Sequence, residues 1–257
     1  VWDALLDLAA GSVCVVCTRP GRALCRRCHR ALPGAGAPAR PTPCPPGLVP
    51  VHATGDYDGA LRALVLAHKE HAVHGLAVPL GDLLAVAVTA ALRAEVGRAW
   101  PYPPSPAGPV VLVPVPSHPR VVRERGHDPL LRLTRRAATA LRRDGVPVSV
   151  ARPLLVVGRP RDQAGLTAQE RAANLAGRFA ARAGPGPGDP GAVVLVDDVL
   201  TTGWTLRSAQ AALEQRGWAP VAGATVAATR RHRRQVVPPA PGVPDLGVLL
   251  PRSPPGH

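Results

Sequence analysis

Two rhythms of apolar residues alternate along the middle of this chain. Short unbroken apolar runs predict strands at LVPVHATGDY (48–57), VVLVPVP (Val110 to Pro116), AVVLVDD (192–198) and AGATVAATR (222–230). Between them, apolar residues recur every three or four positions and predict helices. These cover GALRALVLAHKEH (59–71), PLGDLLAVAVTAALRAEV (79–96), DPLLRLTRRAATALRR (128–143), TAQERAANLAGRF (167–179) and TLRSAQAALEQRG (205–217). Local chemistry marks several helix starts. Pro79 suits a first turn, Asp128 and Pro129 form an N-cap followed by a first-turn proline, and Thr167 with Glu170 forms a capping box. Strands with no internal alternation, separated by helices, predict a parallel sheet covered on both faces, so the fold class is α/β.

The two ends differ from this middle. Residues 1–47 hold all five cysteines and finish in the coil-like GAGAPARPTPCPPG, and residues 236–257 are Pro-rich and read as a loosely ordered tail. Three regions follow: a cysteine module with its linker (1–47), an α/β domain (48–235) and the tail (236–257). The longest apolar run, Leu83 to Leu92, is too short to span a bilayer and is flanked by Asp82 and Arg93. No basic, cleavable leader opens VWDALLDLAA, and the expectation is a cytoplasmic protein without membrane insertion.

Composition changes the picture in one respect. A formal charge of +14, from 31 basic against 17 acidic residues, ordinarily signals a polyanionic partner. Here a single Lys, a single Asn and no Ile accompany 32 Pro and 26 Gly, the mark of a GC-rich coding sequence that favours arginine. Much of the surplus is therefore expected to be diffuse surface charge.

The candidate chemistry lies in VVLVDDVLTTGWTL (Val193 to Leu206). An apolar strand runs into two adjacent carboxylates, then a hydroxyl-rich turn, then a helix start. Ligands of open α/β sheets bind at the carboxyl ends of strands, where turn amides and the positive helix terminus attract anions. Thr201, Thr202 and Thr205 add hydroxyl donors there, and Gly203 lets the backbone come close to a ligand. Asp197 and Asp198 are acceptors suited to vicinal hydroxyls or a metal. A phosphate cradle beside paired carboxylates reads as a sugar-phosphate site, most simply for a ribose 5-phosphate.

Cys14, Cys17, Cys25 and Cys28 form two Cys-x-x-Cys pairs, CVVC and CRRC. Each tight turn can present two sulfurs to one ion, which predicts a closed, structural zinc site. Cys44 stands apart in the Pro-rich coil as a bystander, and His29 is the weaker candidate ligand beside Cys28.

The 193–206 stretch resembles the phosphoribosyl diphosphate motif of type I phosphoribosyltransferases. Together with YDGALRALVLAHKEHAVHGLAVPLGDLLA, VPVPSHPRVVRERGH, RDQAGLTAQERAANLAGRF and the cysteine-rich start, it resembles the ComF family of competence-associated, phosphoribosyltransferase-like proteins, from about Cys14 to Arg230. The resemblance implies a type I phosphoribosyltransferase fold behind a small zinc module. It implies that Asp197 and Asp198 hold the ribose hydroxyls, that Thr201 to Thr205 hold the 5-phosphate, and that Mg2+ accompanies the diphosphate. Lys69, the lone lysine, falls where the family carries one. Candidates for the diphosphate are the arginines of the loop SHPRVVRERGH, namely Arg120, Arg123 and Arg125. The segment around 161–179 would supply a flap, with Gln163, Arg171 and Asn174 as its binding residues and Arg178 on an exposed polar face. Two departures from the family stand out. RGHDP (125–129) replaces its usual Arg-Gly-Phe-Asn-Gln, and Trp204 stands where a small residue is common, placed to stack on a base or cover the helix start.

Two functions are expected from this reading. One is an enzyme that binds phosphoribosyl diphosphate and Mg2+ and transfers the phosphoribosyl group to an acceptor. The other is a non-catalytic competence accessory that binds single-stranded DNA or a protein partner.

Overall fold

The computed structural model describes residues 12–97, 108–157, 178–184 and 191–229. Its centre is a six-stranded sheet built from β1 (Ala37–Ala39), β2 (Val51–Ala53), β3 (Val110–Pro114), β4 (Val148–Val150), β7 (Ala192–Leu200) and β8 (Pro220–Ala228). The order across the sheet is β1-β2-β8-β7-β3-β4. All neighbours run parallel except β1, which pairs antiparallel with β2 at one edge. A separate antiparallel pair joins β5 (Leu154–Val156) to β6 (Phe179–Ala181).

The unbroken apolar runs are explained by burial on both faces. Along β7, Val194 and Val196 enter one hydrophobic cluster, while Val193 and Leu195 enter the other. Strand β3 divides the same way, with Val110 and Leu112 on one side and Val111 and Val113 on the other. The first face is covered by helices α2 (Gly59–Glu70), α3 (Ala77–Glu95) and α5 (Pro129–Arg143). The second is covered by α6 (Trp204–Glu214) and the β5–β6 pair. The chain is thus an α/β protein with a mostly parallel sheet between helices.

Several expectations need correction. The strand carrying the acidic pair does not stop there: β7 continues to Leu200, pairing Val199 with Ala227 and Leu200 with Ala228. The coil at 34–47 contains β1, which covers the otherwise open edge of β2. There, Gly36 crosses α3 so closely that a Cβ would lie 2.8 Å from Ala90 Cβ. The arginine-bearing loop after β3 is a helix, α4 (Pro119–Arg125). His118 accepts from the Arg120 amide at its start, Pro119 fills the first turn, and Gly126 ends it at φ +71°. RGHDP then starts the next helix, since Asp128 accepts from the Leu131 amide at 3.0 Å.

The apolar run around Leu83 extends further than its sequence borders suggested. Among the described residues one helical segment, His74–Glu95, is long and apolar enough to cross a membrane. It serves as a core helix, with 61% of its most apolar window buried against the sheet and α5. The predicted helix at 167–179 lies mostly outside the described residues, as does the tail.

Candidate functional site

The order of the parallel strands sets where a ligand can sit. From β3 the chain moves outward to β4, whereas from β7 it moves the opposite way to β8. Neighbouring β3 and β7 therefore flank the point where the winding reverses, and the crevice at their carboxyl ends is the position where open α/β sheets take ligands. A cavity of about 400 Å3 lies there. Val115, Pro116 and Ser117 form its wall after β3, and Asp197, Asp198, Val199, Thr201 and Thr205 its wall at β7 and α6. Helix α2 adds Lys69 and Glu70, and the start of β6 adds Arg178.

The two adjacent carboxylates are handled differently. The pleat that sends Val194 and Val196 towards α2 and α3 also directs Asp198 that way, and Lys69 Nζ meets its Oδ2 at 2.6 Å. Burial works against the Lys69 ammonium, but Asp198 and then Asp197 outweigh it and hold its pKa above the ordinary lysine value. Among the described residues, Asp197 accepts from a backbone donor, the Asp198 amide at 2.8 Å from Oδ1. Burial, followed by the neighbouring Asp198 charge, pushes the Asp197 carboxyl up to about 8. At neutral pH the pair therefore offers one ion-paired carboxylate and one carboxyl that keeps its proton. Such a pair can both accept from and donate to hydroxyl groups.

Across the cavity from Lys69, α6 begins without a side-chain cap. Its first-turn amides are left to water or an anion, with Thr201 and Thr205 on the cavity wall. Gly203 is the N-cap at φ +76°, a conformation that favours glycine. Its open side faces the linker: a Cβ there would lie 2.9 Å from Pro41 Cγ and 3.0 Å from Leu48 Cδ2. The need for glycine is thus set by backbone conformation and by this packing, not by the approach of a ligand. Thr202 is exposed on the turn and Trp204 opens the helix, both outside the cavity wall.

The arginines are distributed otherwise than expected. Arg125 is bound through Nη2 to both carboxylate oxygens of Glu70, at 2.9 and 2.8 Å, tying the end of α4 to the end of α2 beside Lys69. Arg120 pairs with Glu124 on the exposed face of α4. Arg123 is exposed, and neither it nor Arg120 lines the cavity. Arg178, assigned from sequence to an exposed polar face, is half-buried and lines it. Gln163, Arg171 and Asn174 lie outside the described residues.

The cysteine module is complete within residues 13–30. The two turns are braced by the Cys14 amide on the Arg19 carbonyl and the Thr18 amide on the Cys14 carbonyl, both 2.8 Å, while α1 (Arg26–Arg30) starts at Cys25. The sulfurs of Cys14, Cys17, Cys25 and Cys28 all lie within 4.8 Å of one another. Cys17 and Cys25 Sγ are 3.7 Å apart, close to the ~3.8 Å edge of a tetrahedron with Zn–S bonds of about 2.3 Å. Burial pushes the Cys14 thiol up, but the amides of Cys25, Cys17 and Val16 outweigh it and bring it down to about 6. The four cysteines thus fit a structural metal ion such as zinc. Val15, Val16, Ala23 and Leu24 seat the module on the first hydrophobic cluster. Cys44 lies outside the cluster, with its thiol 3.7 Å from the Pro45 carbonyl. Compared with protein-family models and with curated proteins, the sequence finds no match.

Proposed function

We propose that this chain is a ComF-like phosphoribosyltransferase. It would bind phosphoribosyl diphosphate with Mg2+ and transfer the phosphoribosyl group to an acceptor, releasing diphosphate. The observation that carries this reading is one cavity at the strand reversal whose lining joins an acidic pair to an uncapped helix start with Thr201 and Thr205. The resemblance of the same stretch to the phosphoribosyl diphosphate motif adds the type I phosphoribosyltransferase fold to the proposal.

In this reading the α6 amides and the two threonine hydroxyls hold the 5-phosphate. Asp198 accepts from one ribose hydroxyl once Lys69 moves towards the phosphates, and the proton-bearing Asp197 orients the other. The site's oxygen donors suit a hard cation, but Lys69 already meets Asp198, so Mg2+ would be held largely by ligand oxygens. Bound in that way, Mg2+ would neutralise charge on the departing diphosphate. Val65, Leu66, Val115, Pro116 and Leu130 add apolar side chains to the cavity lining, against which the sugar ring would rest.

Calorimetric titration with phosphoribosyl diphosphate, with and without Mg2+, is expected to show saturable one-site binding. The double variant Asp197→Ala, Asp198→Ala is expected to lose it by about 100-fold or more. Unchanged binding in that variant removes the ribose assignment. Diphosphate release over a panel of nitrogenous acceptors then identifies the transfer.

A second reading has its own observation. Between the cysteine module and the start of α3, a groove of about 610 Å3 is lined by Arg22, Arg26, His29 and Arg30 on one side and Gly75, Leu76, Val78 and Pro79 on the other. Clustered cations of this kind favour a polyanion. They support an accessory role in which the module engages single-stranded DNA or an acidic competence partner.

A further inference from the structure

We infer that Arg178 is the guanidinium that binds the ligand's phosphate oxygens, an assignment that rests on the phosphoribosyl diphosphate reading above. A ligand that carries both a phosphate and a diphosphate needs positive charge that is not already spent. Among the described residues the charged side chains lining the cavity are Lys69, Glu70, Arg178, Asp197 and Asp198. Lys69 is engaged by Asp198 at 2.6 Å, and Glu70 by both of its contacts to Arg125. Arg178 has no ion pair with any described residue, so it is the cavity's uncommitted cation.

Its mounting favours a binding role over a solvated one. The Arg178 carbonyl accepts from the Val157 amide at 2.8 Å, which fixes its backbone at the mouth of the β5–β6 pair. The next residue, Phe179, is buried to 6% in the second hydrophobic cluster beside α6. The guanidinium carbon lies 5.9 Å from the Phe179 ring centroid, at the outer range of a cation–π contact. A planar fork of donors held over an aromatic face matches two phosphate oxygens at once, which a lysine cannot do. The arginines of α4 have no such placement, since Arg125 is spent on Glu70 and neither Arg120 nor Arg123 lines the cavity.

The test uses the full chain and three probes: phosphoribosyl diphosphate, ribose 5-phosphate and inorganic diphosphate, each titrated calorimetrically. Arg178→Ala is expected to weaken phosphoribosyl diphosphate and at least one of the two partial probes by about 10- to 100-fold. The partial probe that weakens identifies which phosphate the guanidinium meets. Arg178→Lys keeps the charge but not the fork and is expected to lose about 3- to 10-fold, with an unchanged melting temperature. Wild-type affinity for all three probes in Arg178→Lys and Arg178→Ala overturns the assignment while leaving the phosphoribosyl diphosphate reading intact. Wild-type protein that binds none of the probes overturns both.

Discussion

The cysteine module and the acidic pair are both clusters of groups that repel one another when ionised, and they are stabilised in different ways. The four sulfurs converge on one point from residues within a span of 15 positions, Cys14 to Cys28. Their geometry anticipates a single ion. The carboxylates of Asp197 and Asp198 leave β7 on opposite sides of the pleat, yet stay close enough to act on each other and on Lys69. One is satisfied by Lys69, which is 129 residues away in sequence, and the other by keeping its proton. A converging cluster is built for a permanent cation. The other is neutralised from within the protein, by an ammonium and a retained proton.

The largest effect that would break this comparison is loss of the metal. Purified protein is expected to carry about one zinc per chain by elemental analysis, and Cys25→Ser to carry almost none. Free-standing zinc fingers draw on the order of 10 kcal/mol from their ion. The cysteine variant is therefore expected to become protease-sensitive within the module while the sheet stays folded. Zinc-free wild-type protein with an equally protected module would mean that the convergence of the sulfurs is incidental.

A smaller effect concerns Asp197, and its sign follows from proton counting. The folded carboxyl titrates near 8 and the unfolded one near 3.8. Between those values the folded state holds a proton that the unfolded state has released. The Asp197 contribution to stability therefore falls as pH rises from about 4 to 8 and is flat beyond. Asp197→Asn removes that slope. The variant is expected to melt close to wild type at pH 4 and several degrees above it at pH 8.5, at about 2–4 °C per kcal/mol in a chain of this size. Parallel melting curves across that range would show that Asp197 ionises freely in the fold.

The smallest effect sharpens the part played by Lys69. With Lys69→Gln the diverging pair loses its ammonium, and the carboxylates become open to a hard cation. Millimolar Mg2+ is expected to raise the melting temperature of this variant by about 1–3 °C and that of the wild type by less than about 1 °C. Equal shifts in both proteins would remove Lys69 as the cation of the acidic pair.

How much could be read from the sequence depended on the distance between partners. The helices at 59–70, 77–95, 129–143 and 204–214 and the four longer strand predictions were legible because their apolar rhythm is local. Strands β1, β4, β5 and β6 were not, because each has only three residues and, unlike the equally short β2 within 48–57, sits in no longer apolar run that marks it. The same divide runs through the candidate site. Asp197, Asp198, Thr201 and Thr205 are close in sequence and share the cavity. The commitment of Arg125 to Glu70 spans 55 residues, and nothing in SHPRVVRERGH distinguishes that arginine from its neighbours. Helical spacing across 167–179 places Arg178 on an exposed polar face, while its observed position is the start of a strand pair. The fixed neighbour Phe179, the chain's single phenylalanine, was the signal that could have revealed an anchored strand there.

The linker between the two regions bears on modularity. Residues 34–50 look like a tether, yet Ala37–Ala39 supply an edge of the main sheet and Pro41, Pro45 and Leu48 close over Gly203 at the start of α6. The Gln210 side chain reinforces the same seam, accepting from the Val49 amide at 3.0 Å and donating to the Gly47 carbonyl at 2.9 Å. A shortened chain beginning at residue 48 would strip a strand from the sheet and uncover the very turn assigned to the phosphate. The cysteine module and the α/β body are therefore one inheritance unit: recombination or gene fusion at their border would disturb the sheet edge and the turn at Gly203 together.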